Sequence, residues 1–110
     1  MLPCIKMKDT ANYIVSTLKS KFNIDKIVLF GSYVEDINDY NDIDIIVISD
    51  DFTGISIAKR KRLIKQLLSS LIVDPICLTS LQFNRMKDVG SDLYNKINKT
   101  GCEIYDRNIN

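Results

Sequence analysis

The sequence has no histidine and no tryptophan, and only two prolines, four glycines and three cysteines in 110 residues. Without histidine there can be no His-based triad, imidazole base or imidazole metal ligand. Acid–base or metal chemistry must therefore come from carboxylates, lysine, tyrosine or cysteine. Cys4, Cys77 and Cys102 are odd in number and widely spaced, with no C-x-x-C pair. That argues against a zinc site or a disulfide framework and predicts reduced, buried thiols in a cytoplasmic protein. An excess of one charge is also lacking: 15 basic and 14 acidic residues leave +1, so bulk charge points neither toward nor away from nucleic acid. No apolar run approaches membrane-spanning length, and "MLPCIKMKDT" is not continuously apolar as a signal peptide would be. With no repeat, low-complexity segment or Pro/Gly-rich linker, one domain over residues 1–110 is expected.

What is present is a regular alternation of element signals. Asp9 or Thr10 can cap a helix whose apolar face is Ala11, Ile14, Val15, Leu18 and Phe22. "KIVLFG" (26–31) reads as a strand ended by glycine, and "DIDIIVIS" (42–49) as a second strand. In the latter, Ile43, Ile45 and Val47 point one way and Ile46 and Ile48 the other, so this strand is expected to be central and covered on both faces. From about Ile55 to Leu71 the pattern is helical, with Ile57, Ile64, Leu67, Leu68 and Leu71 as the stripe and Lys59, Arg60, Lys61, Arg62 and Lys65 mostly off it. "LIVDPICLT" (71–79) is a third strand; Pro75 cannot donate to a ladder, which predicts an edge or a bulge there. Thr79 or Ser80 caps a helix to about Val89, Ser91 or Asp92 starts another ending near Gly101, and "CEIYD" (102–106) is a last strand. The fold class is α+β, a small mixed β-sheet flanked by helices.

Three aspartates are tied to these strands. Asp is a poor strand residue, and a buried unpaired carboxylate is costly. Asp42 and Asp44 are two apart, so on a strand they share a face, with Cα atoms about 6.6 Å apart. If the strand of Asp74 is adjacent, its carboxylate closes the cluster. Two unit charges about 4 Å apart near a surface repel by roughly 4 kcal/mol, so a cation among them is favoured. Oxygen-only ligands suit Mg²⁺ or Mn²⁺, which commonly carry substrate phosphates as well. Gly31 and Ser32 supply the complement. Glycine lets the backbone turn and approach a phosphate, and a helix beginning at Ser32 would present N–H groups. The pair sits at a strand end, nine residues before the Asp-x-Asp.

"GSYVEDINDYNDIDIIV" resembles the Gly-Ser, spacer, Asp-x-Asp signature of the nucleotidyltransferases of the DNA polymerase β superfamily. The short length, the acid in "LIVDPICLT" and the ending "INKTGCEIY" resemble its minimal nucleotidyltransferase branch. The resemblance spans about Lys26 to Tyr105 and implies a polymerase β palm-like fold. It also implies transfer of NMP from an NTP, most simply AMP from ATP, to a hydroxyl, with two Mg²⁺ ions and release of pyrophosphate. By position, Gly31 and Ser32 would contact the triphosphate, Asp42 and Asp44 would hold both metals, and Asp74 would complete the metal near the acceptor and take its proton. Members of the branch are commonly paired with a small helical HEPN partner, often as the antitoxin of a toxin–antitoxin system, and in that setting the resemblance implies AMP transfer onto a tyrosine of the partner. Many relatives carry Arg-Gly a few residues after the Gly-Ser; here Tyr33-Val34-Glu35-Asp36 holds no basic residue.

Plainer readings stand beside these. Asp42 can be a turn acid, Asp74 before Pro75 a turn signal, and Ser32 only a helix cap. Tyr33 and Tyr40 can stack on a base or pack on the domain. Lys59-Arg60-Lys61-Arg62 spans a full helical turn and reads first as a solvated face; with no glycine-aromatic RNA signature, direct nucleic-acid binding is not expected. Cys77 and Cys102, flanked by apolar residues, are expected in the core. The alternative function is a catalytically silent module that neutralises its partner by binding alone.

Overall fold

The computed structural model describes residues 2–3, 8–35 and 42–109. Five strands, β1 (Leu2–Pro3), β2 (Lys26–Phe30), β3 (Ile43–Ile48), β4 (Val73–Leu78) and β5 (Cys102–Asp106), form one mixed sheet in the order β1-β5-β2-β3-β4. Pairing is antiparallel for β5–β2 and β2–β3 and parallel for β1–β5 and β3–β4. Helices α1 (Lys8–Lys19), α2 (Ser32–Glu35), α3 (Ile57–Leu67), α4 (Ser80–Asp88) and α5 (Asp92–Thr100) complete the fold, with a 3₁₀ turn at Asp50–Phe52.

The alternation in β3 sorts the core into two layers. Ile43, Ile45 and Val47 pack with Ile14 and Leu18 of α1, Ile64 of α3, Leu68 and Phe52. Ile46 and Ile48 pack with Val28, Phe30, Phe83 of α4 and Ile97 of α5 on the other face. Each such fully buried side chain contributes about 1.5–3 kcal/mol, so β3, buried on both faces, is the pivot of the fold. β4 is an outer strand, which is where Pro75 costs no ladder bond. Thr79 and Gln82 form a capping box at the start of α4, and Ser91 caps α5 by accepting from the Tyr94 N–H.

Several expectations need correcting. Asp9 and Thr10 lie inside the first turn of α1, which begins at Lys8. Ile57 is 56% exposed, because the first turn of α3 does not reach the layer that Ile64 enters. Arg60 is buried at 5% exposure. Its Nε donates to the Ile55 carbonyl, and Nη1 donates to the Cys77 carbonyl and Gln82 Oε1, so its planar fork is satisfied without an acid. Cys77 and Cys102 are both buried as expected, but Cys102 is disulfide-bonded rather than reduced; its partner lies outside the described residues. No helix among the described residues is long and apolar enough to cross a membrane.

Candidate active site

β2 ends at Phe30, and the chain must then leave the sheet without colliding with β3. Gly31 does this at φ +77°, in the left-handed region that side-chain-bearing residues avoid. Helix α2 follows at once, with Ser32 exposed and the Val34 N–H donating to the Gly31 carbonyl at 3.1 Å. Space demands glycine here as well as conformation: a Cβ on Gly31 would collide with Asp44 Oδ2. The Gly-Ser turn and the Asp-x-Asp strand are thus in direct contact.

The strand register aligns the acids. Phe30 pairs with Asp44, and Asp44 pairs with Asp74 across the parallel β3–β4 ladder, making a row over three strands. Asp42 immediately precedes β3, two residues from Asp44, and is exposed. Partial burial, first, and the negative charge of Asp74, second, push the Asp44 carboxyl above its ordinary range; Asp42 adds to this, while Lys96 of α5 opposes it. Lys96 Nζ lies 5.9 Å from the centroid of the Phe30 ring, on the same side of the sheet.

Asp74 is exposed, and its Oδ1 lies 2.8 Å from Lys61 Nζ of α3. That contact holds the ammonium in its protonated form, raising the Lys61 pKa. Among the described residues, no group of three or more Asp, Glu, Cys or His side chains stands close enough to hold an ion. The donor chemistry nevertheless fits a hard divalent cation. Only carboxylate oxygens are offered, Asp44 and Asp74 occupy neighbouring ladder positions, and the missing Cβ of Gly31 leaves Asp44 Oδ2 room. Asp42, Asp44 and Asp74 are the residues that would hold it.

A family model described as "Polymerase beta, Nucleotidyltransferase" matches residues 12–110. The chain belongs to the polymerase β nucleotidyltransferase family. Among solved structures, it resembles a chain of the complex of a tri-AMPylated Shewanella oneidensis HEPN toxin with MNT antitoxin. That match has 20% identity and a TM-score of 0.58, covering 94% of this chain and 75% of the other. A toxin–antitoxin structure with AMP-PNP matches at 21% identity and a TM-score of 0.59, covering 87% and 73%. BolA1 from Arabidopsis thaliana matches at 20% identity and a TM-score of 0.54, covering 64% and 90%; at such identities likeness speaks for the fold alone. No curated protein sequence matches the chain significantly.

In this nucleotidyltransferase-family chain Gly31 abuts Asp44, and Asp44 and Asp74 are register partners on adjacent strands. In sequence, Asp42 precedes β3 and Ser32 follows β2, both exposed. Tyr33 does not offer a stacking face: it is buried in the core. Tyr40 lies outside the described residues. Two site cations, Lys61 and Lys96, escaped the sequence reasoning. Lys61 sits in a basic run that reads as a solvated face, and Lys96 lies far along the chain from either motif.

Proposed function

We propose that the chain is a Mg²⁺-dependent nucleotidyltransferase that moves AMP from ATP to a tyrosine hydroxyl of a HEPN-type partner and so acts as an antitoxin. The observation carrying this is the alignment of Asp44 with Asp74, with Gly31 packed against Asp44, within a chain of this family. The HEPN toxin in the Shewanella complex is AMPylated, which supports AMP as the group and a HEPN protein as the acceptor. ATP as donor fits a cytoplasmic setting, although a disulfide at Cys102 is not what that compartment favours.

When bound, magnesium supplies charge neutralisation at the phosphates and a more acidic acceptor hydroxyl. Asp42, Asp44 and Asp74 are the side chains that would hold the ions, Asp74 from the neighbouring strand. Gly31 admits the triphosphate close to the backbone, and Ser32 offers its hydroxyl to it. The acceptor oxygen bonds to the α-phosphorus, the α–β bridging bond breaks with its electron pair leaving on pyrophosphate, and the hydroxyl proton passes to Asp74. Lys96 stands on the Asp44 side of the sheet.

The test is incubation of the chain with Mg²⁺, ATP and a HEPN-type partner, followed by intact-mass measurement. One added AMP on a partner tyrosine is expected, and Asp44→Asn should lose it while staying folded. No transfer, together with no Mg²⁺-ATP binding by calorimetry, would favour a silent module that neutralises its partner by contact. The observation on that side is the Lys61 ammonium already engaging Asp74.

A further inference from the structure

Three carboxylates in one small region repel, and the fold must tolerate this before any divalent ion arrives. On the outer strand, relief comes from Lys61, whose Nζ lies 2.8 Å from Asp74 Oδ1. The buried residues of α3 belong to the layer that holds Ile43 and Ile45, whereas alternation along β4 puts Asp74 with Asp44 on the other face. Lys61 therefore reaches Asp74 around the β4 edge of the sheet, beyond which the described residues form no further strand.

Both partners are accessible, with side-chain exposures of 46% and 56%. A pair this exposed is only modestly favoured over its open form, by roughly two- to five-fold. The released ammonium can pass into water, since the Lys61 side chain is already 46% exposed; the groove beside it, lined by Ala58, Arg62, Lys65, Gln66 and Ser69, offers no other acid to hold it. The pair is thus close enough to neutralise Asp74 and weak enough to be exchanged.

We propose that Lys61 is a resident counter-ion of Asp74 that competes with divalent metal for this carboxylate and must swing away for the third ligand to be delivered. The proposal rests on the assignment of Asp42, Asp44 and Asp74 as metal ligands. Lys61 is a positioning residue: it touches no substrate and acts through Asp74. Its signature is a metal affinity that is weaker than the carboxylates alone would give.

The measurement is Mn²⁺ binding to the full chain, read from the loss of the free-ion electron paramagnetic resonance signal. Wild type, Lys61→Met, Lys61→Arg and Asp44→Asn are compared, with thermal melts in EDTA verifying that each is folded. Lys61→Met should tighten Mn²⁺ binding by about three- to six-fold, the inverse of the fraction of Asp74 left open by a pair favoured roughly two- to five-fold. Lys61→Arg, which keeps the charge, should remain at or weaker than wild type, and Asp44→Asn should bind at least tenfold more weakly. If wild type binds through Asp44 but Lys61→Met binds equally or less tightly, the competition is overturned and the metal-site assignment stands. If wild type binds no Mn²⁺, or Asp44→Asn binds as well as wild type, the assignment and the competition both fall.

Discussion

Gly31 and Asp44 occupy one another's space. The glycine has no side chain, and the Asp44 carboxylate fills the volume where a Cβ would stand. The turn that leaves β2 and the strand that carries the acids are therefore a single unit, and substitutions can separate its parts.

Gly31→Ala should destabilise the fold by about 2–3 kcal/mol in urea titration, combining left-handed strain with the collision at Asp44. Gly54 is the control. It has φ +81° and open space where its Cβ would be, so Gly54→Ala should cost only the strain, about 1 kcal/mol. The difference between the two measures the Asp44 contact.

Asp44→Asn should raise the thermal midpoint slightly at neutral pH without divalent ions, by about 0.5 kcal/mol or less in stability, and on the proposed function AMP transfer should fall by roughly 100-fold or more. The sign follows from burial and the Asp74 charge, which raise the Asp44 carboxyl pKa in the folded state. A raised carboxyl contributes stability below its unfolded value and loses that contribution as pH climbs through the folded one. The wild-type minus Asn difference should therefore fall as pH rises from about 3 to 7. Equal melting curves for the two proteins across that range would contradict it.

Lys96→Met should shift the Asp44 carboxyl resonance titration to still higher pH, because Lys96 is the charge opposing the shift. ¹³C detection of the side-chain carboxyl reads this directly, and an unmoved titration would remove Lys96 from the site.

Arg60→Met should cost about 2–4 kcal/mol by urea denaturation, since it leaves the Ile55 and Cys77 carbonyls without the donors that reach them. Arg60→Lys should recover less than half, having a single ammonium where a fork spans Ile55, Cys77 and Gln82.

The Cys77 thiol, pushed up to about 12 by burial, should resist iodoacetamide in the folded chain at pH 8 and react only once denaturant opens the core. Residue-resolved mass spectrometry is the check.

Much of the fold can be read from short-range pattern. The alternation of Ile43, Ile45 and Val47 against Ile46 and Ile48 predicts the two layers, and β5 spans Cys102–Asp106 as expected. Gly31 and the Asp-x-Asp spacing point to the site because turn and strand are close in sequence. Long-range facts are another matter. In Lys59-Arg60-Lys61-Arg62 one residue must face inward, but only the distant Cys77 carbonyl and Gln82 make Arg60 that residue. Lys61 and Lys96 enter the site from other elements, and β1 exists only by pairing with β5 at the far end of the chain. Pro75 left an edge or a bulge as the choices for β4, and the strand is an edge.

Because β4 is the outermost strand, Asp74 stands on a rim rather than at the bottom of a cleft. On the proposed function, a hydroxyl carried on the rigid surface of a folded protein could approach such a ledge without being unravelled or threaded, and substrate choice would then fall to the match between two whole surfaces.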